Sequence, residues 1–305
     1  MNKTLRFVVA LSFSALATPV LSASLASAST SVAHCVVSLS PSATETLFAI
    51  GAGPQVGAVD QDSTYPAAAA TLAAKHKINP LSPSVESLIG ICTPSSAHPS
   101  KKPDLVVISY NENSIQQKLT ALGVKVLVQA APTTLAQAYA QITQLGQLTG
   151  HVAAASAIDA SIAKTIKNDT AQIKAISPMT PLNVFYEIGN NPYYSLTSTT
   201  FVGSLLKALG VDNIADPEST SADAGYPSLT AEYILSSNPD LIFTADAASA
   251  SDVAVRTGFS AVKAVVNKQV YALDPNLASE WGPRLGVLMN ALTAGVKSAI
   301  SASAK

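Results

Sequence analysis

The chain has 305 residues, of which 48% are apolar and only 12% are charged. This length supports one large domain or two ordinary ones with a substantial core, and the high apolar fraction excludes intrinsic disorder. The 18 basic and 19 acidic residues are nearly balanced, so the sequence offers no basic surface for nucleic acid.

The N-terminal segment has the residue order of a secretory signal peptide. Two cations, Lys3 and Arg6, precede a short apolar run, and small residues then lead to Ala28. We therefore predict a signal peptide over residues 1–28, cleaved after Ala28. The mature protein is expected in the periplasm or at the extracytoplasmic cell surface.

The two cysteines, Cys35 and Cys92, bear on both anchoring and redox state. A lipid-modified Cys35 would need Gly, Ala or Ser before it, but His34 is there, so the sequence favours a soluble exported protein over a lipoprotein. In an oxidising compartment the two cysteines pair most economically as a disulfide. Two separate buried thiols are the alternative. Metal binding by these two alone is not indicated, because no CxxC or paired Cys/His spacing surrounds them.

Past the signal peptide, short β-rich runs alternate with helical stretches, which is typical of parallel α/β sheets. In the first half we predict strands over 36–39, 105–108 and 124–128 and helices over 44–50 and 115–122. In the second half we predict strands over 183–186, 241–243 and 269–273 and a helix over 201–209.

The two halves of the chain repeat one helix-to-strand unit. Each copy has a helical segment, then a Pro-Asp pair, then a strand of the parallel type. The helical segments are residues 84–88 and 229–233, and the pairs are Pro103 with Asp104 and Pro239 with Asp240. In both copies the proline ends the helical approach. Such repetition predicts two similar α/β lobes, which we place at residues 29–148 and 181–305.

A single long helix is predicted between the lobes. Residues 152–176 contain neither glycine nor proline, and Ile158, Ile162 and Ile166 recur at helical spacing. A helix of about 25 residues is about 37 Å long, and we assign residues 149–180 to this linking element. Two lobes on a rigid connector enclose a cleft, which is the usual place for a ligand.

The sequence shows no catalytic machinery. The pair Gly51 and Gly53 lacks the third glycine of a dinucleotide loop, and neither a GxSxG elbow nor a GxxxxGK[ST] loop is present. The four histidines lack metal-ligand spacing, and the neighbouring Asp60 and Asp62 have no evident base partner. We therefore expect a binding protein that has no catalytic residues, no resident metal and no cofactor.

Aromatic and amide residues recur instead just beyond the predicted strands. Ligands of α/β sheets bind at the carboxyl edge, and tyrosine offers a flat apolar face plus a hydroxyl to a large amphipathic molecule. The ligand contacts predicted on this basis are Tyr65, Tyr110, Asn111, Asn190, Tyr194, Tyr226 and Trp281. The alternative is that several of these tyrosines simply pack the lobe surfaces.

Several short motifs point to a known family. They are residues 37–45 (VSLSPSATE), 65–66 (YP), 102–106 (KPDLV), 122–126 (LGVKV), 209–214 (LGVDNI) and 283–284 (PR). Together they resemble the periplasmic substrate-binding proteins of cobalamin and iron–siderophore ABC importers, especially the cobalamin binders. The resemblance implies the class III periplasmic binding protein fold, an α/β architecture of two Rossmann-like lobes joined by one long α-helix. It also implies a monomer that holds its ligand between the lobes.

The resemblance assigns roles to further residues. In cobalamin binders one glutamate on each lobe meets arginines of the permease, and the matching positions here are Glu86 and Glu232. Carboxylate–arginine pairing of this kind can be bidentate and orienting, whereas ordinary solvated glutamates are the alternative. Matching pocket positions add Asp62, Asn276 and Glu280 to the predicted ligand contacts.

The implied ligand is cobalamin or a related corrinoid, because aromatic positions dominate and cationic ones are scarce. Only Arg256 and Arg284 remain as arginines after cleavage, which disfavours a highly anionic ferric catecholate. Haem and other ferric siderophores are alternatives within the same importer class. A transition-metal carrier and a secreted hydrolase are the alternatives from other classes.

Overall fold

The computed structural model describes residues 32–176 and 180–303. The predicted signal peptide at residues 1–28 lies outside the described residues, as do residues 177–179 of the predicted linking element and the last two residues of the chain. Residues from 32 onward belong to one compact unit, which contains two α/β lobes.

The N-terminal lobe is built on a four-stranded parallel sheet. The strands are β1 (Val36–Leu39), β2 (Val56–Val59), β3 (Leu105–Ile108) and β4 (Lys125–Val128), in the order β2-β1-β3-β4. The helices are α1 (Pro41–Ala49), α2 (Ala67–His76), α3 (Val85–Ile89), α4 (Ile115–Ala121) and α5 (Leu135–Thr149). One face of the sheet packs against α1 and α5 and the other against α3 and α4. The central strands β1 and β3 are therefore buried on both faces, which explains why β3 is wholly apolar and why β1 is apolar except for Ser38.

The long helix predicted between the lobes is confirmed as α6, which extends over 25 residues (Val152–Ile176). Ile162 near its middle belongs to the core of the N-terminal lobe and Ile173 near its end to that of the C-terminal lobe. Ile166, between them, packs against both cores. The helix thus joins the lobes through shared hydrophobic packing as well as through the chain.

The C-terminal lobe has a six-stranded mixed sheet. Its strands are β5 (Asn183–Asn190), β6 (Tyr193–Ser195), β7 (Asp212–Asn213), β8 (Ser228–Leu229), β9 (Leu241–Thr244) and β10 (Val270–Ala272). The order is β10-β9-β5-β6-β8, with β7 paired to β5. The helices are α7 (Phe201–Ala208), α8 (Ala231–Ser237), α9 (Ala250–Ala254), α10 (Lys263–Val266), α11 (Pro275–Ser279) and α12 (Leu285–Ser303). Helix α12 is long and apolar enough to cross a membrane, but Leu288, Leu292 and Val296 lie in the core of this lobe.

The structure corrects the sequence prediction around Asn190. The prediction placed Asn190 and Tyr194 beyond the end of a strand, whereas β5 continues to Asn190 and turns back into β6. Asn190 lies opposite Tyr193, and Gly189 lies opposite Tyr194, in an antiparallel ladder. Glycine and proline normally weaken strands, so Gly189 and Pro192 concealed this hairpin.

The repeated Pro-Asp pair occupies equivalent positions in the two sheets. The carboxylate of Asp104 accepts hydrogen bonds from the backbone N–H groups of His34 (2.8 Å) and Cys35 (3.1 Å), just before β1. The carboxylate of Asp240 likewise accepts one from the N–H of Asn183 (3.0 Å), at the start of β5. In each lobe the aspartate therefore fixes the beginning of the neighbouring strand.

Cys35 and Cys92 form a disulfide that joins the segment before β1 to the segment after α3. Both residues are buried. Because the sulfur of Cys35 is bonded to Cys92, it is not available for a thioether-linked lipid.

Removal of this disulfide is expected to destabilise the protein. The cross-link joins residues separated by 57 positions, and the loop entropy that it removes from the unfolded chain corresponds to about 4 kcal/mol. Urea unfolding of oxidised wild type, reduced wild type and the Cys35→Ser, Cys92→Ser double variant measures the effect. The two cross-link-free forms should lose similar amounts, and a loss below about 1 kcal/mol in both would contradict this account.

Candidate functional site

A cavity of about 440 Å³ lies between the two lobes. The N-terminal lobe contributes residues that follow its parallel strands, among them Ser42, Asp62 and Tyr110. The C-terminal lobe contributes residues between α11 and α12, among them Asn276, Glu280 and Trp281. Five of the predicted ligand contacts therefore lie together in one cavity, namely Asp62, Tyr110, Asn276, Glu280 and Trp281.

The N-terminal wall of the cavity follows from the parallel sheet. The strands β1, β2 and β3 run in the same direction, so their carboxyl ends meet at one edge. Ser40 caps α1 directly after β1, because its side chain accepts the N–H of Ala43. The turn after β2 is held by the N–H of Asp62, which donates to the carboxylate of Asp60 (2.8 Å). Tyr110 follows β3 and is about half exposed.

The opposite wall is formed by residues 275–284, which we call the interlobe segment. Although it follows β10 of the C-terminal lobe, it contacts the N-terminal lobe directly. The N–H of Trp281 donates to the hydroxyl of Ser42 (3.2 Å), and the amide of Asn276 donates to the hydroxyl of Thr64 (3.3 Å). The side chain of Trp281 packs against the core of the N-terminal lobe. The interlobe segment therefore closes one side of the cleft.

A buried ion cluster lies behind this wall. The guanidinium of Arg284 donates to both carboxylate oxygens of Glu45, with the Nε–Oε2 distance 2.9 Å, and to Oε2 of Glu280 at 3.2 Å. The side chain of Glu45 is only 2% exposed. The ring of Tyr65 lies over the same guanidinium, 4.3 Å from ring centre to Cζ, which is a cation–π contact.

Two carboxyl groups thus share one arginine, and this affects the protonation of Glu280. Burial, followed by the hydrogen bond with Glu45 and its charge, raises the pKa of Glu280 to about 9, although Arg284 acts in the opposite direction. Arg284 is insufficient to offset these effects because Glu45 already engages it. At neutral pH we therefore assign Glu280 as an uncharged carboxylic acid rather than as a second salt-bridge partner.

Two of the predicted tyrosines, Tyr194 and Tyr226, do not line the cavity. Tyr194 and Tyr226 of the C-terminal lobe are about half exposed, as is Tyr110 of the N-terminal lobe. Burial, and then the charge of Tyr110 on the other lobe, raises the pKa of Tyr226.

Other predicted contacts are less clearly part of the site. The amide of Asn111 is used locally, since its oxygen accepts the N–H of Gln116 (2.9 Å) and its nitrogen donates to Gln117 (3.2 Å) at the start of α4. Asn190 lies exposed in the β5–β6 hairpin and does not line the cavity. Tyr65 contacts Arg284 rather than the cavity.

Sequence reasoning missed several residues of the site. Leu81 and Ser109 line the cavity, and Ser109 stands directly before Tyr110, so its position after a strand was a usable signal. Glu45 and Arg284 are 239 residues apart. Each lies in a motif that was recognisable, but nothing in the spacing indicated that they pair.

The two glutamates predicted to meet a permease occupy matching positions. Glu86 and Glu232 are both exposed and both lie in the first turn of a short helix. A hydroxyl residue caps each helix, Ser84 for α3 and Thr230 for α8. The backbone N–H of Glu86 and the hydroxyl of Ser84 lower the pKa of Glu86, so it is anionic at neutral pH.

Within residues 32–176 and 180–303, metal-ligating side chains do not converge in the cleft. Among the described residues, the group close enough to hold a metal ion is Cys35, Cys92 and His98, with ligand atoms within 4.8 Å of one another. Its two sulfurs are bonded to each other in the disulfide, and none of the three residues lines the cavity. This part of the chain therefore gives no support to the transition-metal alternative.

Comparison with known proteins identifies the family. Residues 36–277 match the family described as periplasmic binding protein. The chain belongs to this family. Its members are extracytoplasmic substrate-binding proteins of ABC importers, which bind small molecules and work with a permease without converting the molecule that they carry.

Individual relatives agree with this assignment. The chain is 30% identical over 256 residues to an uncharacterised ABC transporter substrate-binding lipoprotein of Bacillus subtilis, YvrC, covering 82% of this chain and 76% of the relative. It is 27% identical over 257 residues to a cobalamin-binding protein of Halobacterium salinarum, covering 82% and 66%. The solved structure of the periplasmic haem-binding protein BhuT in complex with two haems has a TM-score of 0.72 at 21% identity, covering 88% of this chain and 100% of that chain. These likenesses support the class III periplasmic binding protein fold.

Because the pKa of Glu280 is raised, the effect of Glu280→Gln on the stability of the protein should depend on pH. Because the pKa of Glu280 is raised in the fold, the native state loses stability as pH rises above the ordinary glutamate value towards about 9. Glutamine stays uncharged, so the free energy of unfolding of the variant relative to wild type should increase by at least about 1 kcal/mol from about pH 5 to pH 8.5, after discounting for solvent screening.

Urea midpoints at the two pH values measure this gain. Glu86→Gln is the matched control, because Glu86 is exposed and its lowered pKa keeps it ionised over the whole range. A stability difference between wild type and Glu280→Gln that does not change with pH would contradict the assigned protonation state.

Proposed function

We propose that this protein captures cobalamin or a related corrinoid between its lobes and delivers it to an ABC permease. The observation that carries this proposal is the character of the interlobe cavity. Among the described residues that line it, aromatic, hydroxyl and amide groups stand together, and no lysine, arginine or histidine is present. A corrinoid presents a large flat ring system with uncharged amide side chains, which suits such a lining. The archaeal relative named as cobalamin-binding adds support.

The size of the cavity fits part of such a ligand. A volume of about 440 Å³ accommodates one edge of a corrin ring and its side chains. The rest of the ring would lie across the exposed faces of Tyr110, Tyr194 and Tyr226. Trp281 and Tyr110 would then contact the bound edge, because both line the cavity.

Haem is the second candidate ligand. Exposed tyrosine hydroxyls at the cleft, such as those of Tyr110 and Tyr226, are able to ligate ferric iron, which favours it. Haem also carries two propionates, for which the described lining residues provide no cation. We therefore rank it below a corrinoid.

The ring of Tyr226 is expected to contribute to ligand affinity. Tyr226→Ala removes a half-exposed aromatic face and should weaken binding of cyanocobalamin about tenfold, which corresponds to about 1.4 kcal/mol. Tyr226→Phe keeps the ring and should bind within about threefold of wild type. Isothermal titration calorimetry with cyanocobalamin, dicyanocobinamide and haemin makes the comparison.

The outcome of that titration tests the proposal. Binding of haemin without binding of either corrinoid would favour the second candidate. Equal corrinoid affinity for wild type and Tyr226→Ala would remove this tyrosine from the ligand site.

We also propose that Glu86 and Glu232 dock the protein onto the permease. Each is an exposed carboxylate in the same position of a repeated unit, one on each lobe. Paired arginines of a permease would therefore grip both lobes at once. Exposed charge pairs of this kind affect recognition and association rate more than they affect the ligand site.

A transport assay separates docking from ligand binding. The double variant Glu86→Ala, Glu232→Ala should abolish uptake through the cognate permease in proteoliposomes, while calorimetric ligand affinity stays within about threefold. The control is Glu218→Ala, which removes an exposed carboxylate elsewhere on the C-terminal lobe and should transport normally. Normal uptake by the double variant, or a comparable loss of ligand affinity, would contradict the docking role.

The proposed organisation is a monomer that is exported after removal of residues 1–28. The lobes comprise residues 29–148 and 181–305, with a linking element at residues 149–180. Helix α6 and its packing against both cores support these limits.

A further inference from the structure

The charge distribution around the interlobe cavity is unusual for a site that would hold an anion. Its described lining residues include two carboxyl groups, those of Asp62 and Glu280, and no basic side chain. Asp62 is exposed at the rim. The cation that approaches the cavity is Arg284, through its contact with Glu280 (3.2 Å).

Two of the three guanidinium nitrogens of Arg284 already have carboxylate partners. Its Nε and one terminal nitrogen donate to Glu45, which is 2% exposed, and Glu280 takes a further contact. The ring of Tyr65 covers a face of the guanidinium. A ligand carboxylate that took over the contacts of Nε and Nη2 would have to displace Glu45 or Glu280. Displacing Glu45 would leave a buried carboxylate without its partner, which is strongly unfavourable.

Uncharged hydrogen-bonding groups of a ligand bind without displacing Glu45 or Glu280. The amide of Asn276 and the hydroxyl of Ser42 line the cavity and can donate to or accept from a ligand amide. The carboxyl of Glu280 can accept from an amide N–H without any change in the charge of the site. Burial and the neighbouring Glu45 raise the pKa of Glu280, so at neutral pH this carboxyl carries no charge that a ligand would have to compensate.

We propose that Glu45, Arg284 and Glu280 act as a charge filter, which makes the cavity select ligands with an uncharged amide periphery over the same ligands bearing carboxylates. This inference rests on the proposed function as a carrier of a large ring ligand. It adds that the selection depends on Arg284, because Glu45 rather than the ligand balances the charge of this arginine. Glu45 is a positioning residue in this account, since it acts through Arg284.

The test uses two ligands that differ in one functional group. Cyanocobalamin is compared with its monocarboxylic acid derivatives, in which one peripheral propionamide is replaced by a propionate. Wild type should bind the amide form at least about tenfold more tightly at pH 7 and physiological salt, which is about 1.4 kcal/mol. Equal or tighter binding of the acid would overturn the filter and leave corrinoid transport intact.

Two variants assign the discrimination to particular residues. Glu45→Gln frees Arg284 from its buried partner and should reduce the amide-to-acid ratio to about twofold or reverse it, whereas an unchanged ratio would overturn the role of Glu45. Asp62→Asn controls for simple repulsion at the rim, and loss of the whole ratio in this variant alone would also overturn the filter.

Glu280→Gln is a further variant, at a less buried position than Glu45, and it keeps the filter testable if Glu45→Gln does not fold. Glu280→Gln removes the group that ionises, so the quantity compared is the change of its amide-to-acid ratio with pH rather than its ratio at pH 7. At about pH 9.5 the wild-type ratio should increase as Glu280 ionises, while that of Glu280→Gln stays constant. The groups around Glu280 that bear on this titration are Glu45, Arg284, Asp62 and Tyr110. Parallel behaviour of the two proteins would overturn the filter.

Failure of the proposed function gives a separate result. If neither corrinoid binds, the same comparison is made with haemin and its dimethyl ester, which differ in the two propionate charges. The filter predicts tighter binding of the ester, and tighter binding of haemin would overturn it.

Discussion

The pairing of Arg284 with Glu45 is the interaction on which the rest of the site depends. It joins residues 239 positions apart and holds the interlobe segment against α1. A buried ion pair is a weak source of net stability, because desolvation offsets most of the attraction, but breaking one side is costly. Its main effect here is therefore geometric. It fixes the wall that carries Asn276, Glu280 and Trp281, and it removes the charge of Arg284 from the cavity.

The linking helix provides the second constraint on the cleft. Ile166 of α6 packs against both hydrophobic cores, so a large rotation of one lobe would have to disrupt packing at the centre of the helix. The interlobe segment makes both polar and apolar contacts across the cleft: Trp281 donates to Ser42, Asn276 donates to Thr64, and the side chain of Trp281 packs against the core of the N-terminal lobe. Ligand entry is therefore expected to involve small opening motions in which the two hydrogen bonds break while α6 and the Glu45–Arg284 pair stay intact.

Features that depend on local sequence were predictable. The apolar runs of β1 and β3, buried on both faces, and the uninterrupted helix α6 follow directly from residue type and spacing. The carboxyl-edge rule pointed to Tyr110 and the family resemblance to Asp62, and both residues line the same cavity because parallel strands direct their ends to the same side.

Features that depend on distant pairing were not predictable. The β5–β6 hairpin was missed because Gly189 and Pro192 are locally unfavourable in strands, whereas the antiparallel ladder with β8 supplies the stabilising partner. The hydrogen bond from the backbone N–H of Gln116 to the side chain of Asn111 was also not predictable, because a residue type does not reveal which backbone group it contacts. The Glu45–Arg284 contact required the folded arrangement of both lobes.

The central claim is that a ring ligand binds between the lobes against the interlobe segment. Trp281 is the only tryptophan of the chain and lines the cavity, so its fluorescence reports on this position alone. Titration with cyanocobalamin, which absorbs in the range of tryptophan emission, should quench Trp281 saturably at one ligand per protein. Unchanged emission at concentrations where calorimetry shows full occupancy would place the ligand elsewhere and contradict the account.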